Sequence, residues 1–171
     1  REFSRKYPKV EVNIALEATQ EPLPALLNGK VDIAIVADAP RDTRITYRPL
    51  FKDELVVIMP PDHPLALRPY LRAQDFEDQH LFLCISPKNS HLYEHVLNPS
   101  GVKPARFSHV QLVEAIIEIV KAGLGISALA QWAVQAHLDA GTLVARSLTR
   151  KGLHRQWSAA LLRNDFQPAF I

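Results

Sequence analysis

Three consecutive segments decide the fold: Val10-Glu11-Val12-Asn13-Ile14-Ala15-Leu16, then Pro22-Leu23-Pro24-Ala25-Leu26-Leu27-Asn28-Gly29, then Val31-Asp32-Ile33-Ala34-Ile35-Val36. In the first, apolar residues alternate with Glu11, Asn13 and the small Ala15, the period of a strand buried on one face. In the second, both prolines fit a helix's first turn, where backbone N–H groups lack helical partners. Leu23, Leu26 and Leu27 then form one stripe that stops at Gly29. The third is apolar apart from Asp32, the pattern of a strand buried on both faces of a parallel sheet. Together they predict a β-α-β unit.

Working outward, Leu55-Val56-Val57-Ile58-Met59 predicts another buried strand, closed by Pro60-Pro61-Asp62-His63-Pro64, which continues neither a strand nor a helix. The same grammar then restarts. A strand over Leu81–Ile85, the polar turn Ser86-Pro87-Lys88-Asn89-Ser90, a helix over His91–Leu97 and a strand over Phe107–Val110 predict a second α/β lobe. The best helix spans Leu112–Ala122, with Glu114, Glu118 and Lys121 on one stripe and a wide apolar face opposite. A strand over Ile126–Leu129, a helix over Gln131–Leu138 and strands over Leu143–Leu148 and Trp157–Leu162 follow. Toward the amino end, Phe3 and Tyr7 lie four apart before Pro8, as in the last turns of an amphipathic helix. With no initiator Met, the chain reads as a piece of a longer polypeptide, so the lack of a secretion signal is uninformative.

Composition narrows the function. The 171 residues carry 20 Lys+Arg against 18 Asp+Glu, are 47% hydrophobic, and include 13 Pro and one Cys. Such a chain buries a core without disulfide or metal staples. Cys84 has no partner in the chain and sits in an apolar run, which reads as a buried thiol in a reducing compartment. No apolar run approaches the ~20 residues of a membrane span. A net charge of +2 does not describe a nucleic-acid surface.

Catalytic signatures are poor: there is no nucleophile elbow, no phosphate loop, and Gly123-Leu124-Gly125 is not continued into a dinucleotide fingerprint. An enzyme is not indicated, and no cofactor is expected. His91 and His95 share a helix face, but no further carboxylate or His cluster completes a metal shell, so they read as solvated helix residues. Asp62 and His63 read as turn formers. Arg146, Arg150, Lys151, His154 and Arg155 read as a solvated basic hairpin in preference to a phosphate site. More telling are small polar residues placed just after strands, Thr19 in one lobe and Ser86 to Ser90 in the other. There, hydroxyls and helix N–H groups make a natural carboxylate site, although each residue taken alone is better explained as a cap of its own helix.

Four pieces carry a family resemblance: Tyr7-Pro8-Lys9-Val10-Glu11-Val12, Gly29-Lys30-Val31-Asp32-Ile33-Ala34-Ile35, Pro61-Asp62-His63-Pro64-Leu65-Ala66, and Val120-Lys121-Ala122-Gly123-Leu124-Gly125-Ile126-Ser127-Ala128-Leu129. In this order and spacing they resemble the effector-binding domain of LysR-type transcriptional regulators. Pro60-Pro61, Leu97-Asn98-Pro99-Ser100-Gly101-Val102, Ala128-Leu129-Ala130-Gln131-Trp132 and the end Ala169-Phe170-Ile171 are most similar to the branch regulating methionine biosynthesis.

The resemblance implies an α/β fold of the periplasmic-binding-protein type 2 class: two Rossmann-like lobes joined by two crossing strands, with a small effector in the cleft. It implies lobe one over 1–59 plus 149–171, without its first strand, and lobe two over 60–148, with crossing segments at Glu54–Met59 and Leu143–Leu148. It implies effector contacts from Thr19, Ser86, Lys88, Asn89, Ser90 and Ser127, with Leu129 or Trp132 as an apolar wall, and homocysteine as the effector. A homodimer, tetrameric in the full-length protein, would pair Leu23, Leu26 and Leu27 with Val113, Ile116, Ile117 and Val120 of a second chain. DNA would be bound only through a helix-turn-helix domain that this chain lacks, in the cytoplasm and without a membrane. A solute-binding protein of the same architecture, or an enzyme built on two such lobes, are the competing classes.

Overall fold

The computed structural model describes residues 2–163. In chain order its principal elements are α1 (Glu2–Lys6), α2 (Pro22–Leu27), β1 (Ala34–Ala37), β2 (Ile45–Met59), β3 (His80–Leu83), α3 (Asn98–Ser100), β4 (Arg106–His109), α4 (Val113–Lys121), β5 (Ile126–Ala130), α5 (Gln131–Asp139), β6 (Val144–Ser147) and β7 (Leu153–Leu162). The described residues divide into two compact units, 2–50 with 157–163, and 51–156. The chain passes from one unit to the other within β2 and within β7. The second crossing is therefore β7 and not Leu143–Leu148. That expectation failed because Leu153-His154-Arg155-Gln156 reads as a basic connection, hiding the first half of a ten-residue strand. The terminal Ala169-Phe170-Ile171 lies outside the described residues.

In the first unit, Phe3 and Tyr7 meet as expected, ring centroids 5.2 Å apart at 49°. α2 ends as the sequence predicts, with Gly29 at φ +67°, a conformation that costs glycine least. The core gathers Leu26, Ala34, Val36, Ile45 and Ala160. β1 pairs antiparallel with β7, Ala34 opposite Ala160. Two expectations fail here. Val10–Leu16 forms no strand, and Val12, Ile14 and Leu16 stay 68, 84 and 74% exposed. Alternation becomes a strand only when a neighbour completes its backbone ladder, and no described strand pairs with this segment. The β-α-β unit is therefore not formed within the described residues. The strand over Val31–Val36 is shortened, and only Ala34 and Val36 are buried while Ile33 and Ile35 are exposed.

In the second unit, β3 runs parallel to β4 and β5, while β2 runs antiparallel to β5 and β6. The continuous apolar runs follow from period-two geometry in a sheet covered on both sides. Leu55, Val57, Met59, Leu81, Leu83, Ile126 and Ala128 face one core with Phe76, Leu92, Val96 and Leu97. Val56, Ile58, Phe82 and Leu129 face another with Ile116, Ile117, Val120 and Val134. Each fully buried side chain of this size contributes about 1.5–3 kcal/mol. Residues 91–100 are one helical run in which the turn over Tyr93–Leu97 is widened, Asn98 N–H donating to Tyr93 O five residues back. Gly101 at φ +67° ends it. His63 forms a turn as expected, its ring accepting from Leu65 N at 3.2 Å.

The hairpin leading into β7 departs from the solvated reading. Arg146 donates to the carbonyls of Ala145 and Ala66. Arg155 forms a two-pronged pair with Asp53, Nε to Oδ1 at 3.0 Å and Nη2 to Oδ2 at 2.5 Å. The two side chains are only 10% and 3% exposed. Arg150, Lys151 and His154 face solvent, so charge spacing alone did not separate inward from outward residues.

Candidate functional site

The parallel strands β3, β4 and β5 present their carboxyl ends on one edge of the second unit, and a helix begins after each. β3 leads through Cys84 and Ile85 into the Ser86–Ser90 turn. That turn is set by Pro87 and closed by Asn89 N–H to Ser86 O at 3.0 Å and Ser90 N–H to Pro87 O at 3.1 Å. β4 leads into α4 and β5 into α5. The residues preceding those helices, Leu112 and Ala130, have no polar side chain with which to cap the first amides. Three helix starts on one edge give a concentration of N–H donors suited to an anionic group.

Within the turn, Lys88 and Asn89 are exposed, while Ser90 is 3% exposed. The Ser86 hydroxyl is buried without a hydrogen-bond partner among the described residues. Trp132, one residue into α5, is 57% exposed. Its ring meets Phe51 edge-on, centroids 6.2 Å apart at 88°. Phe51 arrives here because β2 runs antiparallel to β5 with Leu55 opposite Ala130, so the chain continues past the same edge. Sequence reasoning missed Phe51, which sits in a stretch of mixed polarity.

Ser127 and Leu129 do not present themselves at this edge. Ser127 is wholly buried and its hydroxyl donates to Phe82 O at 2.7 Å, tying β5 to β3. Leu129 is 4% exposed within the core. The family resemblance placed both beside the cleft, whereas here both faces of β5 are covered. Thr19 lies in the first unit, exposed, its N–H bonded to Leu16 O. Leu26, Ile116, Ile117 and Val120 are enclosed in their own units' cores, so the wide apolar face of α4 is covered within the chain. Leu23, Leu27 and Val113 remain half-buried.

Burial pushes the Cys84 thiol above its ordinary range and outweighs the lowering by its own backbone hydrogen bond and by nearby Arg155, so the thiol stays protonated near neutral pH. His91 and His95 do share a helix face, and the structure adds Glu94 to them, the carboxylate that the spacing argument overlooked. Among the described residues no helix is long and apolar enough to cross a membrane.

A family model described as the LysR substrate binding domain matches residues 1–171. The chain belongs to the LysR substrate-binding domain family. Among LysR relatives, the HTH-type transcriptional regulator MetR of Haemophilus influenzae is 31% identical over 171 residues, covering 99% of this chain and 55% of its own. The Escherichia coli K12 protein of the same name is 30% identical over 173 residues, covering 99% and 54%. The chain thus spans about half the length of the curated LysR relatives it matches. The regulatory domain of a Neisseria meningitidis MetR has the same fold, with a TM-score of 0.88 and 34% identity over 99% of this chain and 78% of that one. The regulatory domain of Synechocystis CcmR, solved with 2-PG, gives 0.78 and 25% over 98% and 81%. The α/β, periplasmic-binding-protein-like class expected from the sequence is the class of these LysR regulatory domains, and the named relatives are transcriptional regulators rather than enzymes.

Proposed function

We propose that this LysR effector-binding domain takes homocysteine as its effector and governs transcription of methionine-biosynthesis genes. The observation that carries the reading is the edge where β3, β4 and β5 end. There the Ser86–Ser90 turn, exposed Lys88 and the starts of α4 and α5 supply donors for an amino-acid carboxylate. Trp132 and Phe51 offer apolar surface for a thiol-bearing side chain. The likeness to regulators named MetR supports the same branch. DNA contact belongs to a segment outside this chain, and the working regulator is an oligomer in the cytoplasm.

Calorimetric titration of homocysteine, with methionine, cysteine and homoserine as controls, tests the effector. It is performed on this chain and on a version extended at its amino end. Saturable binding selective for homocysteine supports the proposal. An extended, folded protein that binds none of the four removes its support while leaving the family assignment intact.

A further inference from the structure

We propose that His91, Glu94 and His95 form a binding site for a transition-metal dication of the zinc, nickel or copper class. The three residues occupy positions i, i+3 and i+4 of the helical run over 91–100. Leu92, Val96 and Leu97 are 0, 5 and 0% exposed, and their burial turns the ligand-bearing side outward. The imidazole rings of His91 and His95 stack, centroids 5.6 Å apart at 17°. His95 Nε2 lies 3.7 Å from Glu94 Oε2. One ligand atom from each of the three lies within 4.8 Å of the others.

A metal with bonds of about 2.0–2.2 Å needs tetrahedral ligand atoms roughly 3.3 Å apart. Rotating side chains can close the gap, since Glu94 and His95 are exposed. Two imidazoles and one carboxylate select zinc, nickel or copper over magnesium or calcium, which prefer all-oxygen shells. The three ligands leave further coordination positions for water. The widened turn begins at Tyr93, between the two histidines, and such a departure from regular helix often marks a functional position. A metal joining His91 to His95 spans the start of this helix, where Glu94 N–H bonds Ser90 O at 2.9 Å. Occupancy therefore stiffens the helix directly after the Ser86–Ser90 turn.

The test is calorimetric titration of ZnCl2 and NiCl2 into the 171-residue chain in chelator-free buffer. One saturable site is expected, weakened about tenfold or more by His91→Gln or His95→Gln and less by Glu94→Gln. Far-UV circular dichroism of each variant checks that it remains folded. Copper(II) added to an isotopically labelled sample should broaden amide signals around residues 90–96, while those around His63, His80, His109, His137 and His154 persist. The proposal is overturned if the parent chain shows no saturable binding, or if a folded His91→Gln/His95→Gln variant binds with unchanged affinity and stoichiometry.

Discussion

Asp53 and Arg155 stand 102 positions apart in sequence yet form a two-pronged pair whose side chains are 3% and 10% exposed. Water screens it little, so removing one member strands the other's charge in the interior. Asp53→Ala or Arg155→Ala should each cost about 3–5 kcal/mol. The double variant strands no charge and should cost less than the sum, giving a coupling of about 2–3 kcal/mol. With a urea dependence near 2 kcal/mol per molar, a 4 kcal/mol loss lowers the unfolding midpoint by about 2 M. The assay is urea unfolding of the four proteins followed by circular dichroism, at 0.15 and 1 M NaCl. The coupling should survive high salt, since screening acts on exposed charges. Additive single effects, or a coupling abolished by salt, would refute the claim that the pair is enclosed.

Gly125, just before β5, packs so closely against β3 that an added Cβ would press on His80 O and lie 2.7 Å from the Phe82 ring. Gly125→Ala should therefore destabilise by about 3 kcal/mol in the same assay, because backbone cannot yield as a flexible side chain does. Arg44 beside Asp42 holds that carboxyl at about 2 instead of 3.8, through side-chain and backbone hydrogen bonds. Since the folded value is depressed, the interaction is present above pH 3.8 and fades as pH falls through about 2. Carboxyl NMR titration should find that midpoint, and Arg44→Ala should return it toward the ordinary value. Burial, with Arg106 adding to it, lowers the pKa of His80. The unfolded chain thus binds the proton first, and stability should decline as pH falls through about 6.5, with His80→Gln removing that part of the slope. Lys88→Ala and Thr19→Ala should each weaken homocysteine binding in calorimetry, and unchanged affinity in both would sink the effector contacts.

The second unit was largely legible because both faces of its sheet are covered. Runs such as Leu55–Met59 and Leu81–Leu83 can hardly be anything but interior strands. The first unit was less so. Alternation in Val10–Leu16 announced a strand, but pairing is a property of two segments and the sequence of one cannot supply it. β2 begins at Ile45, ten residues before its apolar run, because it also pairs with β7 while side chains such as Arg48 and Lys52 stay exposed and leave no hydrophobic signal. For the site, the turn Ser86–Ser90 was visible from its composition. Phe51 and the Asp53–Arg155 pair were not, since each depends on which strands become neighbours. Ser127 and Leu129 came from the resemblance alone, and a residue pattern does not reveal that both faces of their strand are covered.

The widened turn at Tyr93–Leu97 holds one residue more than a regular turn would. Deleting a residue there would restore ordinary helical winding and keep Leu92 and Leu97 available to the core. If the residue deleted is Tyr93, His91 and His95 also move to a spacing of three. Chain length in this turn is thus a ledger in which packing and metal binding can be told apart. A shortened variant that keeps its thermal stability but loses the dication would show that the extra residue serves coordination.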